Sequence, residues 1–196
     1  MGHHQRVLIA MFIACTTLFI SGASKAEDAG KFSLIYGDVD APLSIIEFTD
    51  YQCPVCKVFH PKVVSYVHTD KRLKLDVKEI AILGPQSVNA AYAAFAATNQ
   101  NKRKAMHEGL MSYRGSSLSD RIIFGIAAYQ GVHPDILQKD IDTDRFDKIL
   151  AANLKIGLSY RITGTPAFLI DGTFLQGPTL EQIKDVVNAA LSKRGL

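Results

Sequence analysis

Two cysteines separated by two residues, set where an apolar strand gives way to a helix, limit what this chain can fold into. The stretch is Phe48-Thr49-Asp50-Tyr51-Gln52-Cys53-Pro54-Val55-Cys56-Lys57. Before it, Leu43 to Phe48 is a short apolar run with β-branched residues, the pattern of a buried strand. After it, Val55, Val58, Phe59, Val63 and Val67 recur at helical spacing. Pro54 suits a first helical turn, where its missing N–H leaves no bond unmade. A helix N-terminus carries partial positive charge and free N–H groups, and both favour a thiolate. Cys53 is therefore expected to lie at that end and face solvent. Cys56, three residues on, is expected on the same helical face and one turn deeper. Such a pair supplies a nucleophilic thiol and a resolving partner, joined by a reversible disulfide.

Two other uses of the pair are weaker. Structural zinc takes four ligands; here there is no second close cysteine pair, and His60 and His68 are the only nearby imidazoles. A structural disulfide across so small a loop restrains the unfolded chain least.

Residues 1–26 read as a targeting segment. Arg6 precedes Val7 to Ile20, fourteen residues without charge, short of the roughly 18–20 that a spanning helix needs. Ser24-Lys25-Ala26 offers a cleavage site before Glu27. An uncleaved anchor is the alternative, and Phe12-Ile13-Ala14 makes a poor lipidation signal for Cys15. Cleavage near Ala26 removes Cys15 and leaves Cys53 and Cys56 as the thiols of a mature chain of 170 residues. An exported protein with one close pair is poorly explained as a disulfide scaffold. Chemistry performed on other proteins explains it better. Cleavage also takes Arg6 and Lys25, so 20 basic residues face 19 acidic ones, net +1. That balance gives no argument for nucleic acid or an acidic surface as partner. The mature length suits one domain with a proper core.

Along the chain, Phe32 to Tyr36 suggests a short edge strand, and Gly37 to Pro42 a turn leading into the buried strand. Pro61 should bend or break the cysteine helix. Leu73 to Val77 alternates and Ile80 to Leu83 is apolar throughout, which predicts a strand running on to Gly84-Pro85. From Gln86 to about Tyr160 the signals are helical. Ala90 to Ala97 is a strong helix former. Lys102 to Met111 and Ser119 to Tyr129 follow, then a short helix opening at His133-Pro134-Asp135. A fifth, capped by Thr143, runs to about Ser159. Ala167 to Ile170 is strand-like, Asp171-Gly172 is a two-residue hairpin signal, and Thr173 to Gln176 returns. Thr179-Leu180-Glu181-Gln182 matches a capping box that opens a last helix.

The order is thus β, cysteine pair, α, β, a run of helices, then β–β–α. It resembles the DsbA-like thiol-disulfide oxidoreductases of the bacterial periplasm. The Phe48 to Lys57 stretch is close to that family's active-site signature, and Gly164-Thr165-Pro166-Ala167-Phe168 resembles its cis-proline segment. The resemblance implies an α/β thioredoxin fold with an all-helical insertion between the second core strand and the cis-proline strand. Its core would be residues 27–85 and 161–196 of a single domain, 27–196, with 86–160 inserted.

Roles follow from chemistry and resemblance together. Cys53 attacks and Cys56 resolves, with Pro54 and Val55 between them in the active-site loop. By resemblance Thr165-Pro166 is a cis bond beside the cysteines, leaving the Thr165 backbone free to pair with an extended substrate. Glu47, six residues before Cys53, is a carboxylate in an apolar strand, where an unpaired charge is costly. In the family such an acid moves the proton of the deeper cysteine; an ion pair with Lys74 or Lys78, or a solvent-facing position, is the alternative. DsbA proper resembles this chain but carries Pro-His between its cysteines. Val55 lacks the imidazole that stabilises a thiolate, which predicts a less oxidising disulfide. Thr165 also looks more like the isomerase members than DsbA, which has valine. His60 and Lys57 are expected to be exposed.

The function expected is disulfide exchange, as oxidase, isomerase or reductase, on cysteine-containing exported proteins in the periplasm. A membrane redox partner would recycle the pair. No cofactor, metal or nucleic acid is expected. The isomerase members carry an added N-terminal dimerisation segment where only Glu27 to about Tyr36 precedes this fold, so a monomer is expected. The alternative is a copper or zinc chaperone using the same thiolates; the few methionines and absence of His/Met clusters favour it little.

Overall fold

The computed structural model describes residues 31–141 and 145–196. The expected targeting segment and the Thr143 cap lie outside the described residues. Strands β1 (Leu34–Gly37), β2 (Leu43–Thr49), β3 (Leu73–Glu79), β4 (Ala167–Ile170) and β5 (Thr173–Gln176) form one sheet in the order β1-β3-β2-β4-β5. β2 runs parallel to β3, while the β1–β3, β2–β4 and β4–β5 pairs are antiparallel. β2 is central in the sheet, and even its polar residues Glu47 and Thr49 are buried.

The helices are α1 (Pro54–His68), α2 (Pro85–Ala96), α3 (Arg103–Ser112), α4 (Asp120–Tyr129), α5 (Pro134–Ile141), α6 (Arg145–Ser159) and α7 (Leu180–Lys193). α2 to α6 all lie between β3 and β4. This is the thioredoxin-like α/β architecture with an all-helical insertion.

Strand alternation decides which side chains meet which helix. Leu43 and Ile45 point with Leu73, Leu75, Phe168 and Ile170 to the face covered by Val63 and Val67 of α1 and Ile183 and Val187 of α7. Glu47, two residues beyond Ile45, shares that face. Ile46 and Phe48 point the other way, toward Ile80, Ile162 and Leu169. A second core fills the insertion: the alanines and Phe95 of α2 pack on Met106, Leu110, Ile123, Leu137 and Phe146. Tyr51, Cys53 and Cys56 belong to this cluster, so the cysteine pair lies at the seam between sheet and insertion.

The local signals near the C-terminus act as read. Asp171 and Gly172 both have positive φ, 46° and 81°, which a two-residue hairpin of this hand requires. The Thr179 hydroxyl accepts from Gln182 N and the Gln182 side chain accepts from Thr179 N, closing the capping box.

Two expectations are corrected. The strand opening at Leu73 ends at Glu79, and Gly84-Pro85 starts α2 instead of closing a strand. Residues 80–83 are drawn out of the ladder because the Asp50 carboxylate accepts the N–H groups of Ile82 (2.9 Å) and Leu83 (3.0 Å). Pro61 sits inside α1, which continues for another two turns. Pro61 denies the Lys57 carbonyl its helical donor. Arg114, from beyond α3, donates to that carbonyl at 3.3 Å in its place.

Candidate active site

Cys53 is the N-cap of α1. It has extended backbone, and its Sγ accepts the Cys56 N–H at 3.2 Å. A helix start offers unsatisfied N–H groups to an anion. The hydrogen bond from the Cys56 thiol, with help from Thr165 and from the Cys56 and Val55 backbone N–H groups, overcomes burial. Together they bring the Cys53 pKa down to about 6. Burial, followed by the bond to Cys53, pushes Cys56 far above the ordinary thiol range. Both thiols are free. One sulfur is therefore a thiolate at neutral pH and its neighbour is a held thiol.

Cys53 does not face solvent as the sequence suggests: it is 4% exposed and Cys56 0%. The helix end alone would leave it open. It is covered because the Thr165 carbonyl sits over it, at 3.3 Å from Sγ. The Thr165–Pro166 peptide bond is cis. Pro54 and Val55 are the exposed part of the loop, with Val55 59% accessible. Beside Cys53 lies a groove of about 560 Å³ lined by Ile82, Leu83, Leu154, Leu158 and Ile162 together with Thr163 to Thr165. Leu83 and Leu158 are exposed leucines on its walls.

Asp50 holds this arrangement. Besides Ile82 N and Leu83 N, its carboxylate accepts Gln52 N at 2.8 Å and the Ser87 hydroxyl at 2.7 Å. It thereby fixes the cysteine turn, the groove wall and the start of α2 to one buried group. Sequence reasoning missed this role. An Asp directly after a strand, followed by Tyr-Gln and the helix-opening cysteine, was the available signal.

Glu47 is fully buried and pairs with neither Lys74 nor Lys78: its Oε2 lies 2.7 Å from His60 Nδ1. His60 is correspondingly buried, not exposed, and so is Lys57. The reason is the stripe Cys56, His60, Val63, Val67, which is the inner face of α1. Beyond His60 a chain of buried polar groups continues. His107 Nε2 lies 3.2 Å from His60 Nε2, and His107 Nδ1 lies 2.8 Å from the Tyr51 hydroxyl. Tyr51 donates to Glu79 at 2.9 Å, and Glu79 forms a close ion pair with Arg103. Burial would raise Glu79, but the Arg103 guanidinium outweighs it and holds the carboxyl well below the usual range. Burial brings His107 down to about 4, so it is neutral.

Among the described residues no group of three or more His, Cys, Asp or Glu side chains is arranged to hold a metal ion.

Known proteins are similar to this chain in sequence and in fold. A family model described as thioredoxin matches residues 31–189. The thiol:disulfide interchange protein DsbA of Bordetella parapertussis is 24% identical over 183 residues, spanning 89% of this chain and 87% of that one. Disulfide bond formation protein D of Bacillus subtilis is 22% identical over 169 residues, with 80% and 76% covered. The crystal structure of a thioredoxin-like oxidoreductase from Silicibacter pomeroyi superposes with a TM-score of 0.77 at 28% identity, over 82% of this chain and 92% of that one.

Proposed function

The chain belongs to the thioredoxin family, and the proteins it is similar to include thiol:disulfide interchange protein DsbA; on that premise we propose that it is a thiol-disulfide oxidoreductase acting through Cys53 and Cys56. The observation that carries this reading is the division of labour in the pair: a low-pKa sulfur at a helix start and a buried thiol one turn below it. Cys53 attacks a substrate disulfide, or is attacked when oxidised. Cys56 then completes the exchange by releasing the mixed disulfide. Glu47 takes and returns the Cys56 proton.

The proposed substrates are cysteine-containing exported proteins, met in extended conformation. The Thr165 backbone beside Cys53 and the apolar groove from Leu83 to Leu158 support this. Pro166 sets the direction of that backbone, and Pro54 and Val55 form the exposed lip that a substrate first meets. The proposed site of action is the periplasm, after removal of residues 1–26, with residues 27–196 acting as one monomeric domain recycled by a membrane redox partner. Among the described residues no helix is long and apolar enough to cross a membrane.

Two assays test the reading. Wild type should reduce insulin and reoxidise a reduced peptide, and Cys53→Ser should abolish both activities. The pair Leu83→Asp and Leu158→Asp should raise the KM for a peptide disulfide several-fold and leave the reaction with a small aromatic disulfide unchanged. Insulin turnover by Cys53→Ser would contradict the reading.

A further inference from the structure

The hydrogen bonds around His60 can be given directions, starting from the end where charge is fixed. Glu79 is a carboxylate because Arg103 is bound to it, so the Tyr51 hydroxyl must donate to it. Tyr51 oxygen is then free to accept, and His107 Nδ1, 2.8 Å away, must carry a proton. His107 is neutral, so its Nε2 is bare. His60 Nε2, facing it at 3.2 Å, must therefore be the donor, since two bare nitrogens or two N–H groups would repel at that distance. This leaves His60 Nδ1 and Glu47 Oε2, 2.7 Å apart, with one proton between them. Either Nδ1 or Oε2 carries it, and the pair is net neutral in both forms.

The other Glu47 oxygen, Oε1, is buried and has no hydrogen-bond partner among the described residues. Such an atom calls for an explanation. Cys56, also buried, lies one turn before His60 on the same face of α1, the face on which His60 meets Glu47. A fully buried thiol with a strongly raised pKa has no solvent to take its proton.

We infer that Glu47 and His60 work as one proton-holding unit for Cys56, with His60 as a positioning residue and His107 as the lock on its tautomer. The inference rests on the disulfide-exchange reading above. In the resolving step Glu47 Oε1 takes the Cys56 proton while the shared proton settles on His60 Nδ1. The Cys56 thiolate attacks the Cys53 sulfur of the mixed disulfide, the Cys53–Cys56 bond forms, and the substrate sulfur leaves as a thiolate. The substrate thiolate gains a proton in the end, and the unit gives up the one it took. Cys56 is oxidised and the substrate sulfur reduced, and no other reactant is needed. Among the described residues, the other ionisable groups facing the unit are Tyr36 of β1, whose ring lies against both imidazoles, and Arg103 and Glu79 beyond His107. Glu108, Lys104 and His68 lie behind Tyr36.

The test is stopped-flow reaction of the reduced protein with dithionitrobenzoate, an aromatic disulfide that releases a coloured thiolate at each step. The first release reports attack by Cys53 and the second reports attack by Cys56; Cys56→Ser should lose only the second. His60→Gln keeps a hydrogen bond to Glu47 but cannot hold a second proton, so it should slow the second phase at least tenfold, in line with the ~10²–10⁴ that positioned proton transfer contributes. The first phase should stay within twofold. His60→Ala should be slowed likewise and regain speed with added imidazole. In wild type, deuterium oxide should slow only the second phase, by twofold or more, a readout that does not depend on any variant folding. A second phase in His60→Gln within twofold of wild type, or no isotope effect in wild type, overturns the inference. A wild-type protein with no second release overturns the exchange reading itself.

Discussion

Arg103→Met isolates the group on which the buried polar chain depends. Arg103 and Glu79 are both buried, and Glu79 also receives the Tyr51 proton. The substitution keeps most of the apolar stem and removes the charge. Glu79 must then be either an uncompensated buried carboxylate or a neutral acid. With an unfolded pKa of about 4.3, protonating it at pH 7 costs about 3.7 kcal/mol, and at pH 5 about 1 kcal/mol. The first figure falls within the ~3–5 kcal/mol typical of removing one partner of a buried pair. The sign of the pH dependence also reverses. In wild type the lowered Glu79 pKa adds stability that is present above about pH 4.3 and is lost as the pH falls below it. In the variant burial raises the Glu79 pKa, so its stability is greatest below about pH 4.3 and declines as the pH rises. Urea unfolding at pH 5 and pH 7 measures both effects. A loss below 1 kcal/mol at pH 7, or equal losses at the two values, would refute the placement of a charged Glu79 at the end of the chain.

Other outcomes follow from the site. Val55→His should lower the Cys53 pKa and raise the reduction potential together, measured by alkylation and by glutathione equilibration. Because Val55 is 59% exposed, an imidazolium there is worth at most ~1 kcal/mol, or about 20 mV; no change in either quantity would transfer the control of potential to Lys57 and the helix start. Asp50→Ala leaves the N–H groups of Ile82, Leu83 and Gln52 without their acceptor. It should lower stability by more than 2 kcal/mol and speed amide exchange at residues 82 and 83, and unchanged exchange there would show that the loop is held otherwise.

The strand-to-helix junction, the helical insertion and the final hairpin and capped helix were legible because each is written in local chemistry. Pro54, Asp171-Gly172 and Thr179 to Gln182 need only their neighbours to act. What was not legible depends on residues far apart in the chain. Pro61 stays inside α1 because Arg114, more than fifty residues on, serves the carbonyl it strands. His60 is buried because it pairs with Glu47, on a different element, and Cys53 is covered because the Thr165 carbonyl reaches it. Glu47 was singled out from its cost in an apolar strand, but its partner was sought among lysines of the neighbouring strand. The strand alternation sends it to the α1 face instead, where the inner stripe of the helix carries an imidazole.

The central claim is that the two sulfurs differ in kind. Alkylation of the reduced protein by iodoacetamide from pH 4 to 9, with each site followed by mass spectrometry, tests it directly. Cys53 should label with a midpoint near pH 6, and Cys56 should resist labelling across the range, because burial keeps it protonated. Labelling of Cys56 ahead of Cys53, or of both with a midpoint near the ordinary ~8.5, would contradict the account.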